Sequence, residues 1–336
     1  MAGKLSPVVT LTPAPTLDRT YFVKNLVEGG VNRAERVGEE LAGKGINVSR
    51  GLQLVNMAAP GVVPIGNADP GVLTRTGSDF LIPLWVEGTL RVSTTIVEYD
   101  GPTTKINEHP RPLKQKDWEA VIDLTEKTVK ECEAKWLVVA GAHPEIVETG
   151  EVIDLQLLFD RMEALGVNVV LDTSGPALRF WAQKGSATVM KPNAHELAEC
   201  VGRDLHTIGD VIEAARELNE WGVNCIMASL GVDGIVAVTK THAIHAYTNP
   251  VKVINTVGAG DSTIAGFLSA VTSKPAEPGA FGVGFDVAEG IAAAVQWGAA
   301  KVQQPTSGLK SIDNLVESFV DLIPDADRPL GEPANA

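Results

Sequence analysis

The fold is decided by four short apolar runs that alternate with helical stretches: WLVVAG (136–141), NVVLDT (168–173), ATVMKPN (187–193) and CIMASLG (225–231). Such runs, without polar alternation, are typical of strands that are buried on both faces. A helical pattern from Ile153 to Leu165 separates the first two runs. Because strands alternating with helices form a parallel sheet covered by helices, the sequence predicts an α/β fold. The run VVTLTP from Val8 and a helix beginning near Gly45 fit the same mostly parallel central sheet.

Three other stretches read as strands without crossover helices: TYFVKNLV (20–27), LIPLWVEG (81–88) and STTIVEYD with its continuation to Glu108 (93–108). Strands that follow one another in this way form antiparallel sheets. We therefore predict a separate small antiparallel sheet, with segments at about residues 19–40 and 81–109. Such a sheet is expected to act as a lid over the carboxyl ends of the parallel strands, where open α/β sheets bind ligands.

Charge and composition exclude several classes of protein. The 336 residues include 28 Lys and Arg against 42 Asp and Glu, a net charge of −14, which disfavours nucleic acid as a partner. The apolar runs are shorter than the ~18 residues of a membrane-spanning helix, and the N-terminus lacks the apolar stretch of a signal peptide. We expect a cytoplasmic protein with no membrane partner, built as a single domain over residues 1–322 with a C-terminal tail over 323–336.

The strongest chemical signal is INTVGAGDSTIAGFL (254–268), in which Gly258, Ala259 and Gly260 precede Asp261 and an apolar helix follows. Small residues let the backbone turn tightly and leave the first helical amides bare, facing any anion that sits there. A phosphoryl group in transit needs such donors, and an acceptor hydroxyl needs a base such as Asp261. The structural alternative is an ordinary capped helix with Asp261 as a first-turn charge.

This stretch resembles the second signature of the PfkB (ribokinase-like) family of carbohydrate kinases. Four further motifs appear in the family's order: AGKGINVSRGL (42–52), LDTSG (171–175), MKPNAHEL (190–197) and SLGVDG (229–234). The resemblance implies a three-layer ribokinase-like fold with a small β-sheet lid, ATP as phosphoryl donor, Mg²⁺, and Asp261 as catalytic base. TLTPAPTLDRTY (10–21), GGVNR (29–33) and TTIVEYDG (94–101) resemble the branch that contains 1-phosphofructokinase and tagatose-6-phosphate kinase.

The spacing from Gly38 to Lys44 spells G-x-x-x-x-G-K, the pattern of a P-loop. A P-loop needs Ser or Thr next to hold magnesium, and Gly45 stands there instead. Glu39 and Glu40 would also lie inside the phosphate cradle and repel it. We therefore reject the P-loop. The family resemblance instead assigns Gly43, Lys44 and Asn47 to the sugar substrate.

Three residues of the predicted lid are candidates for substrate binding. Asp18 follows a strand end, where the family's carboxylate accepts two sugar hydroxyls, although a turn cap explains it equally well. Arg91 resembles the arginine with which the sugar-phosphate branch grips the substrate phosphate, and its alternative is a solvent-facing lid charge. Arg33 is a weaker second candidate for that phosphate.

The nucleotide is expected on the other side of the anion-binding helix start at Gly258 to Asp261. Gly231 and Gly234 lie at a turn between strands, and Ser229 exposes a hydroxyl at a strand end. Glycine turns alone are weak evidence, because hairpins need them anyway. The i, i+3 pair Asn193 and Glu196 matches the family's Asn-x-x-Glu stretch, which implies a role in organising magnesium and phosphate. Because magnesium commonly keeps its waters, Glu196 can hold it through them as well as directly. Lys191 precedes this pair and is assigned to the nucleotide side.

Two departures from the family pattern concern ligands. Asn255 replaces the aspartate that many members carry before Thr-x-Gly-Ala-Gly-Asp, which weakens the expectation of a bound potassium ion. His143 stands where the sugar-phosphate branch usually has leucine, and is expected to affect which anionic sugar fits.

The combined expectation is an ATP-dependent kinase of a ketose phosphate, with fructose 1-phosphate first, and tagatose 6-phosphate, fructose 6-phosphate or a sulfonated ketose as alternatives. Other possibilities are a neutral sugar or nucleoside kinase, and a non-catalytic sugar-binding protein on the same fold. Two pocket cations argue against a neutral substrate, and the intact Asp261 with its glycines argues against lost catalysis. Exposed edges of the lid sheet predict a homodimer formed through it.

Overall fold

The computed structural model describes residues 5–99, 101–273, 280–306 and 308–331. Its strands are β1 (Val8–Leu11), β2 (Thr16–Val23), β3 (Arg36–Ala42), β4 (Gly61–Gly66), β5 (Leu81–Val86), β6 (Arg91–Glu98), β7 (Thr103–Asn107), β8 (Trp136–Ala140), β9 (Asn168–Asp172), β10 (Val189–Met190), β11 (Cys225–Ser229), β12 (Ile235–Thr239), β13 (Ala243–Thr248) and β14 (Ser318–Asp321). Its helices are α1 (Lys44–Gln53), α2 (Val72–Arg75), α3 (Gln115–Cys132), α4 (Gln156–Ala164), α5 (Pro176–Lys184), α6 (Ala194–Val201), α7 (Ile208–Glu220), α8 (Ala259–Val271) and α9 (Val287–Val302).

The four quoted runs form neighbouring strands of the main sheet. Within the described residues this sheet has ten strands in the order β14-β13-β12-β11-β10-β9-β8-β1-β4-β5. All pairs from β5 to β11 are parallel, whereas β11 to β14 pair antiparallel. Every residue of β8 is buried, as expected for a strand covered on both faces. The prediction of an α/β fold with a mostly parallel central sheet is confirmed.

Two hydrophobic layers cover the main sheet and complete a three-layer arrangement. On one face, Trp118 of α3, Trp181 of α5 and Val211 of α7 belong to one core cluster. On the other face, Val48 of α1 and Phe267 of α8 belong to a second cluster. Because α1 and α8 pack on the same face, the two sequence signatures at their N-termini lie at the same end of the sheet.

The prediction that LIPLWVEG belongs to the small sheet is wrong. This stretch forms β5, which pairs in parallel with β4 at the edge of the main sheet. The crossover between β4 and β5 contains only the four-residue helix α2, too short to give a helical period in the sequence. Pro83 fits this position, since proline is tolerated on edge strands.

The predicted small sheet exists, with four strands in the order β3-β2-β6-β7. Its residues 36–42 form a strand that the sequence reasoning missed. The expected antiparallel arrangement holds for β2 with β3 and for β6 with β7, but β2 and β6 are parallel. This difference arises because the chain returns through β4 and β5 of the main sheet before it enters β6. We call this four-stranded sheet the lid.

The remaining predictions on organisation concern the chain end and partners. Of the predicted tail, residues 323–331 are described and pack on the domain: Leu330 is buried, and the Gly331 amide donates to Asp233 Oδ2 at 2.6 Å. Residues 332–336 lie outside the described residues.

In the described chain, no helix combines the length and the apolar character needed to cross a bilayer. The homodimer through the lid stays a prediction, and the exposed Val37 and Ile106 lie on the edge strands that it would cover.

The packing of α8 generates a test of the fold. Phe267 is fully buried and contacts Trp136 and Phe285 edge-to-face, with ring centroids 5.9 and 5.7 Å away. Phe267→Ala is expected to lower the free energy of unfolding by about 3–5 kcal/mol, through lost burial and a residual cavity. Urea denaturation measures this loss. Phe180→Ala, at a half-exposed phenylalanine of α5, is the matched control and should cost much less, so equal losses would contradict the assigned core.

Candidate active site

A cleft of about 900 Å³ lies between the carboxyl ends of the parallel strands and the lid. It collects most of the residues that the sequence singled out: Asp18, Gly43, Lys44, Asn47, Arg91, Lys191, Asn193, Glu196, Ser229, Gly231, Gly234, Gly258, Ala259, Gly260 and Asp261. This is the position at which open α/β sheets bind ligands. The motifs are therefore separated in sequence but line one cavity.

Asp261 lies at the centre of this cleft, in the first turn of α8. Its side chain is buried, and its Oδ2 accepts a hydrogen bond from Nδ2 of Asn47 at 2.7 Å. Burial raises the pKa of Asp261 to about 6, with the nearby Asp172 adding to the rise, while Asn47, Lys44 and Lys191 oppose it. A carboxylate with this pKa is still ionised at neutral pH, and it binds a proton more readily than an ordinary aspartate does. This combination suits a general base.

The backbone before Asp261 forms a tight turn, at the place where the sequence predicts that an anion binds. Gly258 precedes α8 with φ of +80°, a conformation that glycine adopts without steric cost. A Cβ on Gly260 would lie 3.1 Å from Nζ of Lys191, so the missing side chain leaves room for that ammonium. The Ala259 amide donates to the Thr256 carbonyl at 3.1 Å, but within the described residues no side chain caps the helix. The amides of Gly260 and Asp261 are therefore the donors available to an anion.

A buried carboxylate joins two lysines beside this turn. Asp172 ends β9 and is almost fully buried, with its Oδ1 at 3.1 Å from Nζ of Lys44 and 3.6 Å from Nζ of Lys191. Burial tends to lower the pKa of Lys44, but Asp172, Asp261 and Glu196 outweigh it and raise that pKa. Lys44 therefore remains charged next to Asp261. It lies at the same end of the cleft as Asp261.

The lid presents one polar face to the cleft. Strand periodicity places alternate residues on this face: Thr16 and Asp18 of β2, Arg91, Ser93 and Thr95 of β6, and Lys105 and Asn107 of β7. Asp18 lies opposite Ser93 in the register of β2 and β6. Burial raises the pKa of Asp18 to about 6 and the adjacent Glu40 adds to the rise, whereas Arg91 and Lys105 lower it. Two cations therefore lie close to one carboxylate on the lid.

The guanidinium group of Arg91 is held in place by backbone carbonyls. It donates to Ala14 at 2.7 Å, to Glu108 at 3.2 Å and to Pro15 at 3.3 Å. Neutral acceptors orient the group without cancelling its charge. Since a guanidinium carries five N–H donors, donors remain for an anionic ligand. The alternative of a solvent-facing lid charge does not describe this half-buried arginine.

Asn193 and Glu196 have a structural role as well as a place in the cleft. They form a reciprocal capping box at the start of α6, in which Glu196 Oε2 accepts from the Asn193 amide at 2.9 Å. The described residues contain no group of three or more His, Cys, Asp or Glu arranged to hold a metal. However, the buried Oδ2 of Asp172 has no hydrogen-bond partner among the described residues. Oxygen atoms of Asp172 and Glu196 fit a magnesium ion that keeps its waters and binds ligand phosphates.

The opposite end of the cleft has an apolar wall. Gly231 and Gly234 lie around a short 3₁₀ turn between the antiparallel strands β11 and β12, close to Ser229. Val232 and Val253 line the cleft here, although their side chains are more than half exposed. Exposed aliphatic side chains in a cleft can bind the flat face of a nucleobase. This end suits the base of a nucleotide.

Two predicted residues lie elsewhere. Among the described residues, Arg33 is exposed on the loop between β2 and β3 and does not contribute to the cleft lining. His143 lines a separate cavity beside residues 108–112 and does not contribute to the cleft lining among the described residues. Burial lowers the pKa of His143 to about 4, and both its ring nitrogens lack partners in the described structure.

Sequence reasoning missed three charged residues near the cleft: Lys105 of β7, Asp172 of β9 and Lys301 of α9. Lys105 could have been found from the alternation TKIN, which places Lys105 and Asn107 on one face of a strand. Asp172 stands at the end of an apolar run, the position from which α/β sheets present functional side chains. Lys301 gave no signal, since a lysine near a helix C-terminus is ordinary.

Comparisons with known proteins agree with this geometry. The model of the pfkB family carbohydrate kinases matches residues 13–314. A 1-phosphofructokinase from Haloferax volcanii is 31% identical over 269 residues, 78% of this chain and 83% of its own length. The ATP-dependent 6-phosphofructokinase isozyme 2 from Escherichia coli is 30% identical over 302 residues, 87% of this chain and 93% of its own.

A solved structure gives the same result for the fold. The crystal structure of phosphofructokinase-2 from Escherichia coli in complex with potassium superposes with a TM-score of 0.78 at 25% identity. The match covers 92% of this chain and 96% of the other. The family match extends over most of the chain and includes both signature segments. The chain therefore belongs to the pfkB family of carbohydrate kinases, which are ATP-dependent phosphotransferases.

Proposed function

We propose that this kinase transfers the γ-phosphoryl group of ATP to a hydroxyl of a ketose phosphate, with fructose 1-phosphate as the first candidate. The observation that carries this proposal is the lid face, where Arg91 and Lys105 flank Asp18 at the cleft. A carboxylate accepts hydrogen bonds from sugar hydroxyls, and the two cations match a terminal phosphate. A neutral sugar would make no use of these two positive charges. The relative from Haloferax volcanii supports the choice of fructose 1-phosphate.

In the proposed reaction, Asp261 takes the proton of the attacking hydroxyl. The side-chain amide of Asn47 donates to one oxygen of the Asp261 carboxylate and fixes the plane of that carboxylate. The other carboxylate oxygen is therefore available to the substrate. Because the carboxylate is already desolvated, it need not shed water when the substrate arrives. Positioning of the hydroxyl against this base accounts for part of the rate acceleration.

The transferred phosphoryl group is proposed to pass over the start of α8. The amides of Gly260 and Asp261 donate to its oxygens, and Lys44 and Lys191 supply positive charge on the other side. Mg²⁺, when bound near Asp172 and Glu196, neutralises charge on the nucleotide phosphates. The base of the nucleotide is proposed to lie against Val232 and Val253, with Ser229, Asn193 and the turn at Gly231 and Gly234 on its phosphate side.

A second candidate substrate is fructose 6-phosphate, because the relative from Escherichia coli named for 6-phosphofructokinase activity is 30% identical to this chain. In the proposed binding mode, both sugar phosphates place their phosphate group at the lid and a free hydroxyl next to Asp261. A coupled ADP-release assay against free and phosphorylated ketoses, including tagatose 6-phosphate and a sulfonated ketose, distinguishes them. A clear preference for a free sugar or a nucleoside would refute the proposed substrate class.

The role of Asp261 generates the first kinetic prediction. Asp261→Asn should reduce kcat by roughly 10²-fold or more, because the amide cannot accept the proton. ATP affinity, measured by calorimetry, should stay close to that of the wild type, since the helix amides remain. Ser269→Ala, at a half-buried serine of α8 outside the cleft lining, serves as the control and should keep full activity. Near-wild-type turnover of Asp261→Asn would end the assignment of the base.

The raised pKa values of Asp18 and Asp261 predict that kcat/KM falls at acidic pH. Both groups must be ionised, one to accept sugar hydroxyls and one to accept a proton, and each has a pKa of about 6. The logarithm of kcat/KM should therefore fall below pH 6 with a steeper slope in the wild type than in Asp18→Asn. The substrate phosphate also titrates near pH 6, but it contributes equally to both enzymes. Identical slopes would contradict a role for ionised Asp18.

The anchoring role of Arg91 predicts a selective loss. A charge-assisted hydrogen bond contributes roughly 1.5–3 kcal/mol, so Arg91→Ala should reduce kcat/KM for the phosphosugar by roughly 10- to 100-fold. Slow turnover of the free sugar should change far less. Arg203→Ala, at an exposed arginine paired with Glu217, is the control outside the cleft. An equal loss for both sugars would indicate general damage to the lid rather than a lost phosphate contact.

A further inference from the structure

A buried ammonium group lies behind the anion-binding turn. Lys301 is in the last turn of α9 and has no solvent exposure, and its Nζ donates to the backbone carbonyl of Asn255 at 3.1 Å. Lysine is almost never fully buried unless it is paired, so its position calls for an explanation. Asn255 lies in the loop that leads into Gly258 and the free amides of α8. Lys301 therefore contacts the segment that sets the position of the anion-binding turn.

Other donors of this chain hold the same loop. The side-chain amide of Asn255 donates to the carbonyls of Pro305 at 3.0 Å and Thr306 at 3.4 Å. Its Oδ1 accepts from the Val257 amide at 3.0 Å. The carbonyls of Asn255, Pro305 and Thr306 thus all accept hydrogen bonds from N–H groups of the protein.

These contacts do not suit a bound monovalent cation. Potassium is coordinated in proteins by rings of carbonyl oxygens that replace its hydration shell. Here an ammonium already points at the Asn255 carbonyl, and a carboxamide NH₂ points at the carbonyls of Pro305 and Thr306. A potassium ion at this point would face positive hydrogen atoms instead of oxygens.

We propose that the ammonium group of Lys301 takes the place of a bound monovalent cation. It holds the loop from Asn255 to Gly258 in position, so that the amides of Gly260 and Asp261 can bind an anion without potassium. This inference rests on the proposed phosphoryl transfer at α8. Lys301 acts through the loop and is a positioning residue.

The electrostatic surroundings are consistent with a charged Lys301. Burial lowers its pKa to about 8, the Asp261 carboxylate opposes that fall, and Lys105 adds to it. The group remains mostly protonated at neutral pH. A covalently attached cation also differs from a dissolved ion in that its occupancy does not depend on salt composition.

The first test uses the wild-type protein alone. Phosphoryl transfer is measured in potassium, sodium and tetramethylammonium chloride at equal ionic strength, on the acceptor that the sugar panel identifies. We expect rates that agree within about twofold, and equal melting temperatures in potassium and sodium. Activation by potassium of more than about threefold, or stabilisation specific to potassium, would overturn the proposal. Since any accepted sugar serves, rejection of ketose phosphates would leave this test valid.

The second test removes the charge. Lys301→Met keeps the length of the side chain and should reduce kcat by roughly 10- to 100-fold, because small displacements of a catalytic group have effects of that size. The KM for the sugar should stay near the wild-type value, a split that general unfolding would not produce. Lys184→Met, at an exposed lysine in the last turn of α5, is the control. A folded Lys301→Met enzyme with wild-type kcat would refute the proposal, and if that variant fails to fold, the wild-type cation test still decides.

Discussion

The hydrogen bond from Asn47 to Asp261 is the contact on which the site depends, because it joins two helices whose residues are 214 positions apart in sequence. It exists only if α1 and α8 pack on the same face of the sheet with their N-termini level. Val48 and Phe267 fix that packing from within one core cluster. The hydrophobic layer therefore determines the orientation of the proposed base. Small shifts of either helix would be transmitted to the carboxylate directly.

Charge balance explains how so many ionised groups share the buried end of the cleft. The ammonium groups of Lys44 and Lys191 both lie near Oδ1 of Asp172, and both lysines also act on Asp261. Without these cations, two desolvated carboxylates would repel each other and bind protons near neutral pH. The two lysines and the two carboxylates balance in charge, so incoming phosphates meet a group without net negative charge. It also shows why Lys44 belongs with the proposed chemistry, even though its motif first suggested the sugar.

Sequence reasoning succeeded where a local pattern has one physical explanation. The glycines around Ala259 required a tight turn before a helix, and the unbroken apolar runs required buried strands. It failed where the answer depends on pairing between distant segments: β5 was assigned to the wrong sheet because α2 is too short to show a helical period. The alternation TKIN places Lys105 and Asn107 on one face of β7, but which face meets the cleft follows from the pairing of β7 with β6. Lys301 resembled an ordinary helix-end charge.

The groups proposed for phosphoryl transfer and those proposed for sugar binding lie on different parts of the fold, and this separation affects substrate specificity. Groups proposed for phosphoryl transfer lie on α1, α8 and the ends of β9 and β10, all anchored in the core, whereas the proposed sugar contacts lie on β2, β6 and β7 of the lid. A substitution on the polar face of the lid changes what is bound without moving the base, because the two sets share few supporting residues. Arg91 illustrates this separation: its guanidinium is held by carbonyls of Ala14, Pro15 and Glu108, not by any group near Asp261.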